Sequence, residues 1–207
     1  MEEHHWHTAK HALAMMPVEA GDRVLDLGTG SGYALRALRE TRSIGAGCGL
    51  DGSPAMLENA ASYTDDDAID FVRGDFGALP IRTDSIDHIF SMEAFYYAPD
   101  PVGTLTEVHR ILRAGGTFYC AVNFFEESRH SHEWQDRIPV PMTLWSRRDY
   151  RRAFRAAGLT VAAQTQIPDL ETEIPPAESF PLESWETREA MVERYRDAGT
   201  LLTVGVA

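Results

Sequence analysis

The chain reads as an α/β protein built on a doubly wound, mostly parallel sheet. Three observations predict this. Short apolar runs alternate with helix-length segments from residue 24 to the end of the chain, and that alternation implies parallel strands covered by helices on both faces. A capping residue followed by proline marks a helix start twice, at Ser53-Pro54 and Asp100-Pro101. A glycine-rich turn, Gly28-Thr29-Gly30-Ser31-Gly32, joins the first strand to the helix after it.

Taken in order, residues 24–27 form a short apolar strand and residues 33–42 a helix. Residues 44–50 are a glycine-rich second strand ending at Asp51, and Ser53-Pro54 starts the next helix. Residues 69–72 and 86–92 are the third and fourth strands. The helix opened by Asp100-Pro101 is expected to end at Gly115-Gly116, with a fifth strand over 117–123. Ser146-Arg147-Arg148-Asp149 is a capping box, opening a helix that stops at Gly158. A sixth strand over 159–166, a helix over 185–198 stopped by Gly199 and a seventh strand over 201–206 complete the pattern. Right-handed crossovers follow. Ligands of such sheets bind beyond the carboxyl ends of the strands, so functional residues are expected just after strands one to five. Two stretches break the rhythm. Residues 124–145 lie on the carboxyl side and are expected to face the substrate, whereas the proline-rich, acidic residues 168–183 read as a surface excursion.

Length and composition bound the rest. The 207 residues are 43% hydrophobic and 25% charged, one domain's worth of chain that can bury roughly 70% of its unfolded surface without staples. No apolar run approaches the roughly 20 residues of a membrane helix, and the polar, His-rich start does not read as a secretory signal. A cytoplasmic protein is expected. The net charge is −13, and Lys10 is the sole lysine among 19 basic residues. Such a charge disfavours nucleic acid and anionic membranes as partners. It fits adaptation to high salt and an ordinary acidic, arginine-using enzyme equally well. Cys48 and Cys120 sit in strands expected to lie about 14 Å apart, too far for a disulfide, so both are expected to be buried free thiols.

The motif with most chemical content is Val24-Leu25-Asp26-Leu27-Gly28-Thr29-Gly30-Ser31-Gly32. Its glycines let backbone approach a ligand and aim helix-start N–H groups at an anionic group. The dinucleotide fingerprint needs a third glycine where Tyr33 stands, which counts against a pyrophosphate. Asp51, 23 residues beyond Gly28, can accept from two ribose hydroxyls. In Gly74-Asp75-Phe76 the acid can accept from an exocyclic amine and the ring can stack on a purine.

In this order and spacing the segments VLDLGTGSG, LDGSPAMLENA, FVRGDFGALPIRTDSIDHIFSMEAFYYAPDP and EVHRILRAGGTFY resemble the class I S-adenosylmethionine-dependent methyltransferases, in particular the small type 11 group. The resemblance implies a Rossmann-like, seven-stranded sheet of order 3-2-1-4-5-7-6 with the last strand antiparallel. It implies S-adenosylmethionine as cofactor, with Asp26, Gly28, Thr29, Gly30 and Gly32 at its methionine moiety. Asp51 would hold the ribose, Asp75 and Phe76 the adenine, and Ser91 and Met92 the methionine end. Gly52 stands where the family usually has a bulky apolar residue, and Met56, one turn later, is expected to fill that space. The first 20 residues are expected to form a helix closing over the cofactor, with Trp6 as apolar anchor.

Methyl transfer demands alignment and exclusion of water more than acid–base machinery, but a hydroxyl or ammonium nucleophile needs a base. Glu93, Tyr97 and His132 are the candidates, with Tyr96, His130 and Trp134 nearby. His4, His7 and His11 share one helical face, but without a cysteine or a firmly held acid nearby no metal is expected. Arg147, Arg151 and Arg155 form an i, i+4, i+8 stripe backed by Arg148 and Arg152; it reads as a solvated face compensating acidic surface, with residues 169–197 the candidate partner, and a phosphate-bearing substrate is the alternative. The expected function is methyl transfer to a small-molecule acceptor within a single domain. The oligomeric state is open. Alternatives are a tRNA or protein methyltransferase, a nicotinamide-dependent oxidoreductase, or a non-catalytic S-adenosylmethionine-binding module.

Overall fold

The computed structural model describes residues 2–207, with side chains from residue 5 onward. Its principal elements are α1 (Glu2–Met15), β1 (Arg23–Leu27), α2 (Tyr33–Arg42), β2 (Ala46–Asp51), α3 (Pro54–Ser62), β3 (Ile69–Arg73) and β4 (Ile86–Met92). They continue with α4 (Pro101–Ile111), β5 (Leu112–Val122), α5 (Trp134–Arg137), α6 (Arg147–Ala156), β6 (Thr160–Ile167), α7 (Arg188–Val192) and β7 (Thr200–Val206). The seven strands form one sheet in the order β3-β2-β1-β4-β5-β7-β6. β1 to β5 run parallel, and β7 is antiparallel to both its neighbours. Fold class and strand order are as expected.

Alternation along the central strands divides the core into two layers. Leu25, Ile89 and Phe118 point to one face, where they meet Leu105, Val108, Tyr150 and Phe154 from α4 and α6. Val24, Phe90 and Tyr119 point to the other, against Leu13, Leu35 and Leu38 from α1 and α2. Both faces are buried, which is why these strands read as continuous apolar runs. Ser53 caps α3 by accepting from Met56 N, Asp100 caps α4 by accepting from Gly103 N, and Ser146 and Asp149 form the reciprocal capping box of α6.

Four local expectations are corrected or refined. α4 stops at Ile111, not at Gly115-Gly116. Leu112 turns extended, is buried and pairs with Ile86, and the two glycines lie in a register shift of β5 where Gly115 takes φ +80°. The helix expected over 185–198 begins only at Arg188, because Trp185 pairs backbone to backbone with Leu182 and Thr187 supplies the cap. Its last turns, residues 193–198, are π-helical. Cys48 is half-buried, whereas Cys120 is fully buried, and neither is bonded to the other. Residues 168–183 run along the surface as expected, but their start also holds α1. Buried Asp169 meets His7 at 3.2 Å, and Glu171 accepts from Lys10 Nζ at 2.7 Å. No helix among the described residues is long and apolar enough to cross a membrane.

Candidate functional site

The carboxyl ends of β1 to β4 open into a cleft of about 880 Å³. Its floor is the glycine turn, with Gly28, Gly30 and Gly32 all at positive φ, where side chains are strained. They serve different ends. A Cβ on Gly28 would fall 2.2 Å from the Ala94 Cβ, so this glycine is required by packing. A Cβ on Gly30 would meet nothing within 4 Å, so this backbone is bare toward the cleft. Gly32, the N-cap of α2, lies behind it against the Phe71 ring and is not a wall of the cleft.

Three acids mark the carboxyl ends of the first three strands: Asp26 is the penultimate residue of β1, Asp51 the last of β2, and Asp75 lies two residues beyond β3. Asp26 is buried and accepts from the Thr29 hydroxyl at 2.8 Å. Burial pushes its pKa up to about 7 against the Thr29 hydrogen bond, with the Asp51 charge adding to the rise. Asp51 accepts from Gly30 N at 3.0 Å through Oδ2 and from Ser53 N at 2.9 Å through Oδ1. It thereby locks the glycine turn to the start of α3, and each oxygen keeps a lone pair for a ligand. Asp75 is exposed, with Oδ1 accepting from Gly77 N at 2.7 Å. Phe76 lies beside Gly28, and Met56 reaches the cleft from the first turn of α3. Around Gly52 the nearest neighbour of an added Cβ is Gly74 O at 3.7 Å, so the space is open.

The fourth strand ends on Met92 and Glu93 follows it, both in the cleft wall. Glu93 takes φ +55°, uncommon for a residue with a side chain and frequent where function imposes strain. Its Oε2 accepts from the Tyr96 hydroxyl at 3.3 Å, while its Oε1 is enclosed without a hydrogen-bond partner. Burial raises its pKa to about 7, opposed by the Arg194 charge and by hydrogen bonding from Asn123 N–H and Tyr96. Tyr97 lines the cleft, and its ring packs on Tyr96 with centroids 4.6 Å apart. Burial raises the pKa of both phenols.

Two candidates lie elsewhere. Ser91 is fully buried and donates to Leu27 O at 2.7 Å, tying β4 to β1. His132 is not among the lining residues, and its Nε2 is 3.0 Å from Glu126 O. The sequence reading missed His5, Ser53, Asn59, Pro99 and Val140 in the wall. Asn59 was recoverable, because it lies three residues beyond Met56 on α3. His5, Pro99 and Val140 come from separate segments, and no spacing joins them. Of the segment 124–145 only Val140 reaches the cleft, while Phe124 and Phe125 are core. His5 brings α1 to the rim, and Trp6 packs edge-on against Tyr33 at 5.9 Å. The His4 side chain lies outside the described residues. Among the described residues no three His, Cys, Asp or Glu are grouped to hold a metal.

Comparison with known proteins agrees with this geometry. Residues 25–120 match the family model described as a methyltransferase domain. A methyltransferase of Haloferax volcanii, solved in complex with the Trm112 methyltransferase activator, is 67% identical over the whole chain and 92% of its own, with a TM-score of 0.99. The YcgJ protein of Bacillus shares the fold at 20% identity, with a TM-score of 0.75 over 98% of each chain. Cycloartenol-C-24-methyltransferase 1 of Oryza sativa is 28% identical over 72% of this chain, and a sterol 24-C-methyltransferase of Saccharomyces cerevisiae 28% over 80%. The chain spans 46% of the length of each of these two. The Haloferax complex overturns the expectation of a small-molecule substrate as the partner, with nucleic acid set aside. The acidic surface that suggested it belongs in part to the latch on α1. Cleft, fold and relatives agree: the chain belongs to the class I S-adenosylmethionine-dependent methyltransferases.

Proposed function

We propose that this chain is the catalytic subunit of a methyltransferase that works with a Trm112-type activator and methylates a proton-bearing nitrogen or oxygen. The observation that carries the reading is one cleft joining a bare glycine backbone, three acids and the buried Glu93 carboxylate. The activator enters from the Haloferax relative, whose identity extends over the whole chain.

The residues fit the cofactor. In this reading the backbone at Gly28, Thr29 and Gly30, with Asp26, holds the methionine moiety. A buried carboxyl with raised proton affinity is suited to a ligand that brings a positive charge. Asp51 receives the ribose hydroxyls. Asp75 offers the oxygen not used by Gly77 to the adenine amine, with Phe76 and Met56 at the ring. When bound, S-adenosylmethionine supplies an electrophilic methyl group. Tyr97, Pro99 and Val140 position the acceptor and exclude water, and α1 closes the rim. Glu93 takes the acceptor proton on its carboxylate, whose Oε1 carries no other hydrogen bond. A pKa of about 7 suits a base working near neutrality.

Thermal melting tests the cofactor assignment. S-adenosylmethionine at 100 times its dissociation constant should stabilise the chain by about 2.7 kcal/mol. Stabilisation by NAD(P) and none by S-adenosylmethionine would overturn the reading. Methyl transfer that is absent from the chain alone and appears on adding the activator supports the partner. Equal turnover without the activator would remove it.

A further inference from the structure

We propose that the outer face of α6 is a docking surface for the phosphate backbone of a nucleic acid that carries the methyl acceptor. The proposal rests on the methyltransferase reading and names its substrate class.

α6 buries Tyr150, Ala153 and Phe154 against the sheet. Arg148, Arg152 and Arg155 consequently share the opposite face, and all three are exposed. At 1.5 Å rise per residue they form a row about 10 Å long. A compensated face would show ion pairs to carboxylates, and none of the five arginines of α6 forms one among the described residues. Arg147 and Arg151 donate instead to the neutral side chains of Gln166 and Gln164 on β6, which hold the guanidinium groups without cancelling their charge. The sole acid of the helix, Asp149, forms the cap: the Ser146 hydroxyl and backbone N–H both donate to its Oδ2, and together with the Arg152 and Arg148 charges they hold its carboxyl below the ordinary range, one acid against five arginines. Glu127 lies at the helix start, where it accepts from Arg147 N. At the far end the exposed His109 ring of α4 lies against Gly158 and extends the row. Of the acids of 169–197, the other candidate partner, Asp169 and Glu171 pair with α1, and none forms an ion pair with an arginine of α6 among the described residues.

Position agrees with charge. The backbone leaves the cleft wall at Val140, bonds to Tyr96 O through Thr143 N, and starts α6 at Ser146. Eight residues separate Val140 from Arg148, at most about 28 Å of chain. A polynucleotide laid on the arginine row therefore passes within a few nucleotides of the acceptor end. Repulsion from the −13 chain is long-ranged only at low salt, since the Debye length is about 8 Å at physiological ionic strength. Local phosphate contacts decide docking there.

The experiment compares the wild-type chain with R148E/R152E/R155E, each alone and with a Trm112-type activator, using fluorescein-labelled bulk tRNA. The account expects at least a tenfold loss of affinity and a fall of about two to three in the slope of log K against log salt. Stabilisation by S-adenosylmethionine should be unchanged, because none of the three arginines lines the cleft. If the reversal variant fails to fold, R148Q/R152Q/R155Q tests the same slope at smaller amplitude. The proposal is overturned if wild-type protein binds no tRNA with or without the activator, or if the variants bind with unchanged slope. Preferential binding of polyglutamate, or loss of a dimer in sedimentation of the variant, would assign the row to an acidic protein or a second copy and also overturn it. Loss of S-adenosylmethionine stabilisation in the wild type would instead break the methyltransferase reading beneath it.

Discussion

The two ends of the cleft are built differently. The cofactor end comes from the carboxyl ends of β1, β2 and β3, and its parts are bonded to one another: Asp51 holds Gly30 N, and Gly28 N and Thr29 N donate to Leu50 O. The acceptor end is gathered from Glu93 and Tyr97 after β4, Pro99 before α4, Val140 from an irregular segment and His5 from α1. α1 is itself fixed by residues far along the chain, through Asp169, Glu171 and the hydrogen bond between the Thr200 and Thr8 hydroxyls. Hydrogen bonds between neighbouring turns make the first end a socket for one ligand. The second end depends on contacts that span 161 to 192 positions.

Substitutions at the two ends should therefore separate. The largest effect is expected from Glu93→Gln, which keeps shape and removes the base: kcat falls about 10²- to 10⁴-fold with S-adenosylmethionine affinity unchanged. Equal loss of cofactor affinity would merge the two ends. Next is Asp51→Ala, which leaves Gly30 N and Ser53 N without their acceptor and deletes the proposed ribose contact. A charged hydrogen bond is worth about 1.5–3 kcal/mol, so calorimetry should show cofactor affinity reduced roughly 10- to 150-fold. Unchanged affinity would remove Asp51 from the site.

Asp26 offers a smaller test with a definite sign. Its pKa is raised to about 7 from an ordinary 3.8, so the folded state holds this proton more tightly than the unfolded chain does. Its contribution to the stability of the cofactor-free protein falls as pH rises from about 4 to about 7. Asp26→Asn should flatten this part of the melting profile, and a profile unaltered by the substitution would refute the assignment. Smallest is Gly52→Leu, which puts apolar volume into open space beside Met56 and should tighten S-adenosylmethionine a few-fold. A weakened complex would show that the space belongs to the ligand.

Legibility in the sequence followed the same division. Period and capping residues located every strand, and β4 fell on its expected residues because both its neighbours are buried strands. The cofactor acids were legible because each lies within two residues of the carboxyl end of a strand. Ser91 was misplaced because alternation turns it inward, to Leu27 O. His132 was misplaced because the chain beyond Phe125 folds into short helical turns that bring its ring to Glu126 O. Both segments that supply Val140 and His5 were expected at the site, but not these residues: an irregular segment has no period to say which side chain turns inward, and nothing local fixes how α1 docks. The contact of His7 with Asp169 spans 162 positions, beyond any local signal.

The most direct test of the central claim is the pH dependence of kcat at saturating S-adenosylmethionine, with the acceptor and the activator present. Saturation removes the contribution of Asp26 to cofactor binding. The rate should rise with pH through about 7, as Glu93 loses its proton, and then level, with the rising limb absent from Glu93→Gln. A rate that is flat from pH 5.5 to 8.5, or a limb that survives in Glu93→Gln, would contradict it.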